Sequence, residues 1–210
     1  MGIGEIIVLL GVILVSMTLH EAMHGYVAYW LGDDTAEREG RLTLNPLRHI
    51  DPIMTILLPI FLALMNGPIF GAAKPVPFNP SRVRYGEWGT ALVALAGPVI
   101  NLVLAFICFG LWAVFGQSTD TVGNALLLGT GVNLGFFIFN MIPIPPLDGS
   151  RVMYALAPDF VRRGMEGVER YGIVVVFAIV LLAGPVLYAF MGSAINFFLH
   201  IFMIIFRLHG

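Results

Sequence analysis

Charge is scarce in this chain. Only 11% of its 210 residues are Asp, Glu, Lys or Arg, against 58% hydrophobic residues and a mean hydropathy of +0.89. A soluble domain carries about a quarter of its residues charged, so a water-soluble globular fold is excluded and an integral membrane protein is expected. Basic clusters are missing too: net charge is −2 and the Lys and Arg residues are scattered through loops, so no nucleic-acid partner is expected. Cysteine is reduced to Cys108, inside an apolar run, which leaves no internal disulfide. The first apolar run, Ile3 to Leu31, lacks both a basic leader and an A-x-A-like cleavage site, and is expected to stay in the membrane rather than be removed.

Within that run Glu21 is the only formal charge between Glu5 and Asp33, and it lies in His20-Glu21-Ala22-Met23-His24. Ionisable groups at membrane depth are costly and mark function. Helical residues four apart differ by about 40° in azimuth and about 6 Å in height, so both imidazoles leave one face and can grip one metal ion. Glu21 is turned about 100° away, which suits a carboxylate that takes a proton from metal-bound water better than one that ligates the metal. The five residues read as half of a zinc hydrolase site.

Apolar segments fall at about 3–31, 53–66, 90–116, 121–142, 172–190 and 193–207. The second is too short to cross comfortably, and breakers follow it from Asn66-Gly67-Pro68 to Asn79-Pro80, so residues 53–80 are read as re-entrant. The fold expected is an all-α polytopic membrane protein with about five spans, one membrane-embedded domain over residues 1–210. Every Lys and Arg, from Arg38 to Arg207, then falls on one side, the cytoplasmic one by the positive-inside rule. The span over 121–142 runs into Pro143, Pro145 and Pro146, which must break the helix and deliver Asp148 to the level of the histidines. Two imidazoles and a carboxylate leave the fourth tetrahedral position of zinc open, as a catalytic site requires.

With H-E-x-x-H in one span and Asn140-Met141-Ile142-Pro143-Ile144-Pro145-Pro146-Leu147-Asp148-Gly149 at the end of another, the chain resembles the site-2 protease family of intramembrane zinc metalloproteases. The likeness extends to Ala96-Gly97-Pro98-Val99-Ile100-Asn101 and to Gly40-Arg41-Leu42-Thr43-Leu44-Asn45-Pro46-Leu47 with Ile50-Asp51-Pro52, typical of the compact bacterial and archaeal branch without PDZ or CBS domains. The resemblance implies one Zn2+ per chain, held by His20, His24 and Asp148, with Glu21 as the catalytic carboxylate and Asn140 near the substrate. It implies cleavage of transmembrane protein substrates within the bilayer of the cell membrane, from a site toward the cytoplasm.

Asn140 is also the candidate second donor to a developing oxyanion. The alternation Arg41-Leu42-Thr43-Leu44 after Gly40 signals a strand, and the resemblance makes Thr35 to Asn45 a small membrane-associated β-hairpin able to pair with unwound substrate. Asn101 and Asn133 read as amides that glue helices, with Asn133 a second candidate near the site, and His49, which could approach a metal, reads as an interfacial structural residue. A membrane zinc-binding transporter or scaffold without protease activity is the competing reading. It needs metal ligands along a path across the membrane, where the last two apolar segments offer Ser193, Asn196 and His200 but no carboxylate.

Overall fold

The computed structural model describes residues 3–51, 57, 74–115 and 120–208. Eight α-helices occur among them: α1 (Ile3–Trp30), α2 (Thr35–Arg38), α3 (Gly86–Val114), α4 (Thr121–Asn140), α5 (Asp148–Leu156), α6 (Asp159–Glu169), α7 (Ile173–Leu182) and α8 (Gly184–Ile205), with a 3-10 turn at Pro46–Arg48. α1, α3, α4 and α8 are long and apolar enough to cross a membrane. α3 is central, packed against α1, α4 and α5. Lipid tails are as apolar as leucine, so such helices associate by close packing and polar contacts rather than by hydrophobic exclusion. The buried face of α3 is accordingly small, with Gly89, Ala91, Ala94, Gly97 and Ala105. Away from the site end, Phe109 packs with Leu134, Ile138 and Phe202, and Phe206 lies against Gly110.

Three expectations are corrected. The last two apolar segments divide at Ala183, not near Gly192, because Pro185 stands in the first turn of α8 and has no N–H to continue α7. α7, with 10 residues, is about 15 Å long, half of what a crossing needs. The described helices thus supply four candidate spans rather than five, and α8 carries Arg207 past Gly110 to the end of the bundle opposite Arg82 and Arg84.

No strand occurs among the described residues, and the hairpin expected over Thr35 to Asn45 is not formed. Asp33 accepts from Thr35 N (3.1 Å) and from its hydroxyl, and the chain turns into α2 instead. Arg41 then points its guanidinium at Lys74 O (2.9 Å) and Pro75 O (3.2 Å). The run beside it contains Pro75 and Pro77, which lack the N–H groups a ladder requires. The re-entrant segment expected at 53–80 lies, apart from Leu57, outside the described residues as far as residue 73.

The start of α3 is the tightest backbone junction: a Cβ on Gly89 would meet Arg84 O and lie 2.7 Å from Val83 Cγ1, whereas one on Gly131 would meet nothing. Gly89→Ala is expected to destabilise the detergent-solubilised protein by about 1–3 kcal/mol. Gly131→Ala should leave the thermal midpoint unchanged or raise it. Thermal unfolding of the two variants checks both.

Candidate metal centre

α1 is an unbroken helix through residue 30, so His20 and His24 present their rings one turn apart. α4 ends at Asn140, where Met141 and Ile142 still donate to Phe137 O and Phe139 O but Pro143 has nothing to donate. The chain then folds back tightly enough that a Cβ on Gly149 would lie 2.5 Å from the Met141 carbonyl carbon and 2.9 Å from Ile142 O. That approach brings Asp148, the first residue of α5, over α1.

His20 Nε2 and His24 Nε2 are 3.1 Å apart, and Asp148 Oδ2 is 3.2 Å from the first and 3.5 Å from the second. Ligands at zinc-like bond lengths on a tetrahedron stand roughly 3.3 Å apart. The three atoms therefore form one face of a coordination polyhedron, and they are the one such group of His, Cys, Asp or Glu among the described residues. Their chemistry agrees. His24 Nδ1 donates to Val93 O (2.7 Å) and His20 Nδ1 to Asn101 Oδ1 (2.6 Å), so both Nε2 atoms present lone pairs. Two lone pairs and a carboxylate face one another, an arrangement that only a cation between them stabilises.

Glu21 stands outside this group. Its Oε2 accepts from Val76 N (2.9 Å), in an extended strap from Lys74 to Asn79 that lies along α1. The strap is fastened by Lys74 N to His49 O (2.8 Å), by Arg41 to Lys74 O and Pro75 O, and by Asn79 N to the buried carboxylate of Asp33 (2.5 Å). Val76 itself sits against Gly25, where a Cβ would lie 2.9 Å from Val76 Cγ1. Asn140, the last residue of α4, donates its Nδ2 to Phe136 O (3.0 Å). His49 is buried with Nε2 on Thr43 O, Glu166 is engaged by Tyr154, and Glu169 by Arg151.

Four contributors have roles that the sequence did not assign: Val93 O, Gly97, Asn101 and Val76 N, of which Gly97 and Asn101 stand out in the sequence only within a family-like motif and Asn101 as a helix-joining amide. The spacing Gly97-Pro98-Val99-Ile100-Asn101 holds a signal for two of them, because residues 97 and 101 share a helix face. A Cβ on Gly97 would lie 2.6 Å from His20 Nε2 and closer still to His24 Nε2. Gly97→Ala is therefore expected to push the imidazoles apart and reduce bound metal to well below one per chain, with helix content by circular dichroism unchanged.

No family model matches the chain, and no solved structure matches it. Among curated proteins, "Putative zinc metalloprotease YwhC" of Bacillus subtilis is 39% identical over 208 residues, which cover 93% of this chain and 90% of that one. "Putative zinc metalloprotease Rip2" of Mycolicibacterium smegmatis is 31% identical across 88% of this chain and 70% of its own. "Putative zinc metalloprotease MJ0611" of Methanocaldococcus jannaschii is 36% identical over 100 residues, about half of each chain. Likeness of that extent, in a chain whose two histidines and aspartate converge as described, makes it a member of the site-2 protease family of zinc metalloproteases.

Proposed function

We propose that the chain is a zinc endopeptidase that cuts peptide bonds in or near the transmembrane segments of other membrane proteins. The observation that carries this reading is the convergence of His20, His24 and Asp148 beside Glu21 on a helix built to cross a membrane. A zinc ion there supplies Lewis acidity toward water and toward a peptide carbonyl. Glu21 takes the proton of the attacking water and returns it to the leaving amine. Its Oε2 is held by Val76 N–H, which leaves Oε1 as the base. The Asn140 amide uses one hydrogen on Phe136 O, and its second is the donor we assign to the developing oxyanion. The substrate helix must unwind locally, because its carbonyls are otherwise spent in its own hydrogen bonds. A single ligand group among the described residues supports a fixed centre over a transport path.

The cell membrane is the proposed location, with the site toward the cytoplasm. Arg82 and Arg84 lie at the end of the bundle where α1 finishes and α3 begins, Arg82 paired with Asp34 and Arg84 N bonded to Leu31 O. By the positive-inside rule that end is cytoplasmic.

Two predictions follow from these roles. Asp148→Ala should lower zinc content and activity together, whereas Glu21→Gln should keep roughly stoichiometric zinc and lose about 10²-fold or more in cleavage. Elemental analysis of purified variants, set beside cleavage of one transmembrane substrate, checks this; full cleavage by Glu21→Gln would end the hydrolase reading. For orientation, Arg48→Cys and Arg84→Cys, each in a Cys108→Ala background, should resist an impermeant thiol reagent added to intact cells. Labelling of either would place the site on the opposite side.

A further inference from the structure

His20 is not held by the main chain as His24 is. Its Nδ1 meets Asn101 Oδ1, and the contacts continue: Asn101 Nδ2 donates to Asn133 Oδ1 (2.9 Å) and to Ser16 O (3.4 Å), and Asn133 Nδ2 donates to Gly129 O (2.8 Å). The three side chains and Ser16 lie on membrane-spanning helices, and His20, Asn101, Asn133 and Ser16 are buried. The direction of this chain follows from its far end. Gly129 O and Ser16 O are carbonyls and only accept, so each must face an amide nitrogen. Asn133 then turns Oδ1 toward Asn101, and Asn101 turns Oδ1 toward His20. An oxygen opposite Nδ1 demands a hydrogen on Nδ1, and the neutral ring is left with its lone pair on Nε2, the atom 3.2 Å from Asp148 Oδ2.

We infer that Asn101, anchored by Asn133 and Ser16 O, is a positioning residue that sets the tautomer and ring orientation of His20 for metal binding. The inference rests on the metal-centre reading above. It differs from helix packing in its consequences. A packing amide matters through all its hydrogen bonds, whereas a positioning amide matters through the one oxygen that faces Nδ1. Partners of this kind are worth about 10- to 100-fold in metal affinity.

The test is the zinc dissociation constant of the purified full-length protein, measured by competition with a chelator, alongside the thermal midpoint. Asn101→Leu, close to isosteric but without the oxygen, should weaken zinc about 10- to 100-fold. Asn101→Asp, which keeps an acceptor on Nδ1 while losing the donors to Asn133 and Ser16, should bind zinc no more than about threefold more weakly than the parent, even where its midpoint falls. Should the aspartate fail to insert, Asn133→Leu supplies the second measurement: Asn101 keeps its anchor on Ser16 O, so zinc should weaken less than in Asn101→Leu. Zinc bound equally by Asn101→Leu and the parent, or equal weakening in the two variants compared, would overturn the inference and leave Asn101 a packing amide. His20→Ala separates the layers: undiminished zinc binding there would remove the metal centre itself.

Discussion

The arrangement depends on one constraint, that a polar atom withdrawn from water must find a partner inside the protein. α1, α3 and α4 carry His20, Glu21, His24, Asn101 and Asn133, together with Ser16, Thr18 and Thr130, through what is otherwise apolar helix. These groups are satisfied in sequence rather than in isolated pairs. Main-chain carbonyls of α1 and α4 orient the asparagines, one asparagine orients His20, and a carbonyl of α3 orients His24. What is left unmatched is the set of lone pairs on His20, His24 and Asp148. A cation is the one partner that completes it, so the polar interior of the bundle and its metal chemistry are the same construction.

Close approach is the second condition, and glycine meets it where it matters. Gly97 lets α3 pass beside the two Nε2 atoms, and Gly149 lets α5 turn back onto the Met141 carbonyl. Neither has a left-handed backbone, so the requirement is room rather than conformation. Both stand next to residues that carry chemistry, with Asn101 one helical turn from the first and Asp148 adjoining the second. A methyl group at either position would separate helices whose spacing sets the 3.1–3.5 Å distances among the donors.

The parts of this design legible in the sequence are local. His20, Glu21 and His24 declare themselves by spacing, and Asp148 by its place after three prolines that must end a helix. Three of the four long helices, α1, α3 and α4, follow from apolar runs of sufficient length, whereas α8 runs across the division expected between the last two. What stayed hidden depends on pairings between distant residues: His20 with Asn101 is 81 residues apart, His24 with Val93 is 69, and Glu21 with Val76 is 55. An asparagine in an apolar span looks the same whether it joins helices or orients a ligand until its partners are known. The break at Ala183 was masked because apolar sequence continues through it, and hydropathy does not register Pro185 as a stop. The alternation at Arg41 to Leu44 was a real strand signal without a strand to meet it, since its neighbour is proline-rich.

The prolines of that neighbour have a consequence for how an extended peptide can be held. An exposed backbone edge beside a protease site would pair with any unwound segment that reached it. Between residues 75 and 77 the strap has one N–H, on Val76, and it is spent on Glu21. The carbonyls of Lys74 and Pro75 are taken by Arg41. Strand addition along these three residues is thereby denied its donors, and the same chemistry that denies it leaves the strap a single task, to hold the Glu21 carboxylate in place. Pro75 and Pro77 thus act by subtraction: removing two hydrogen bonds from the backbone directs the third.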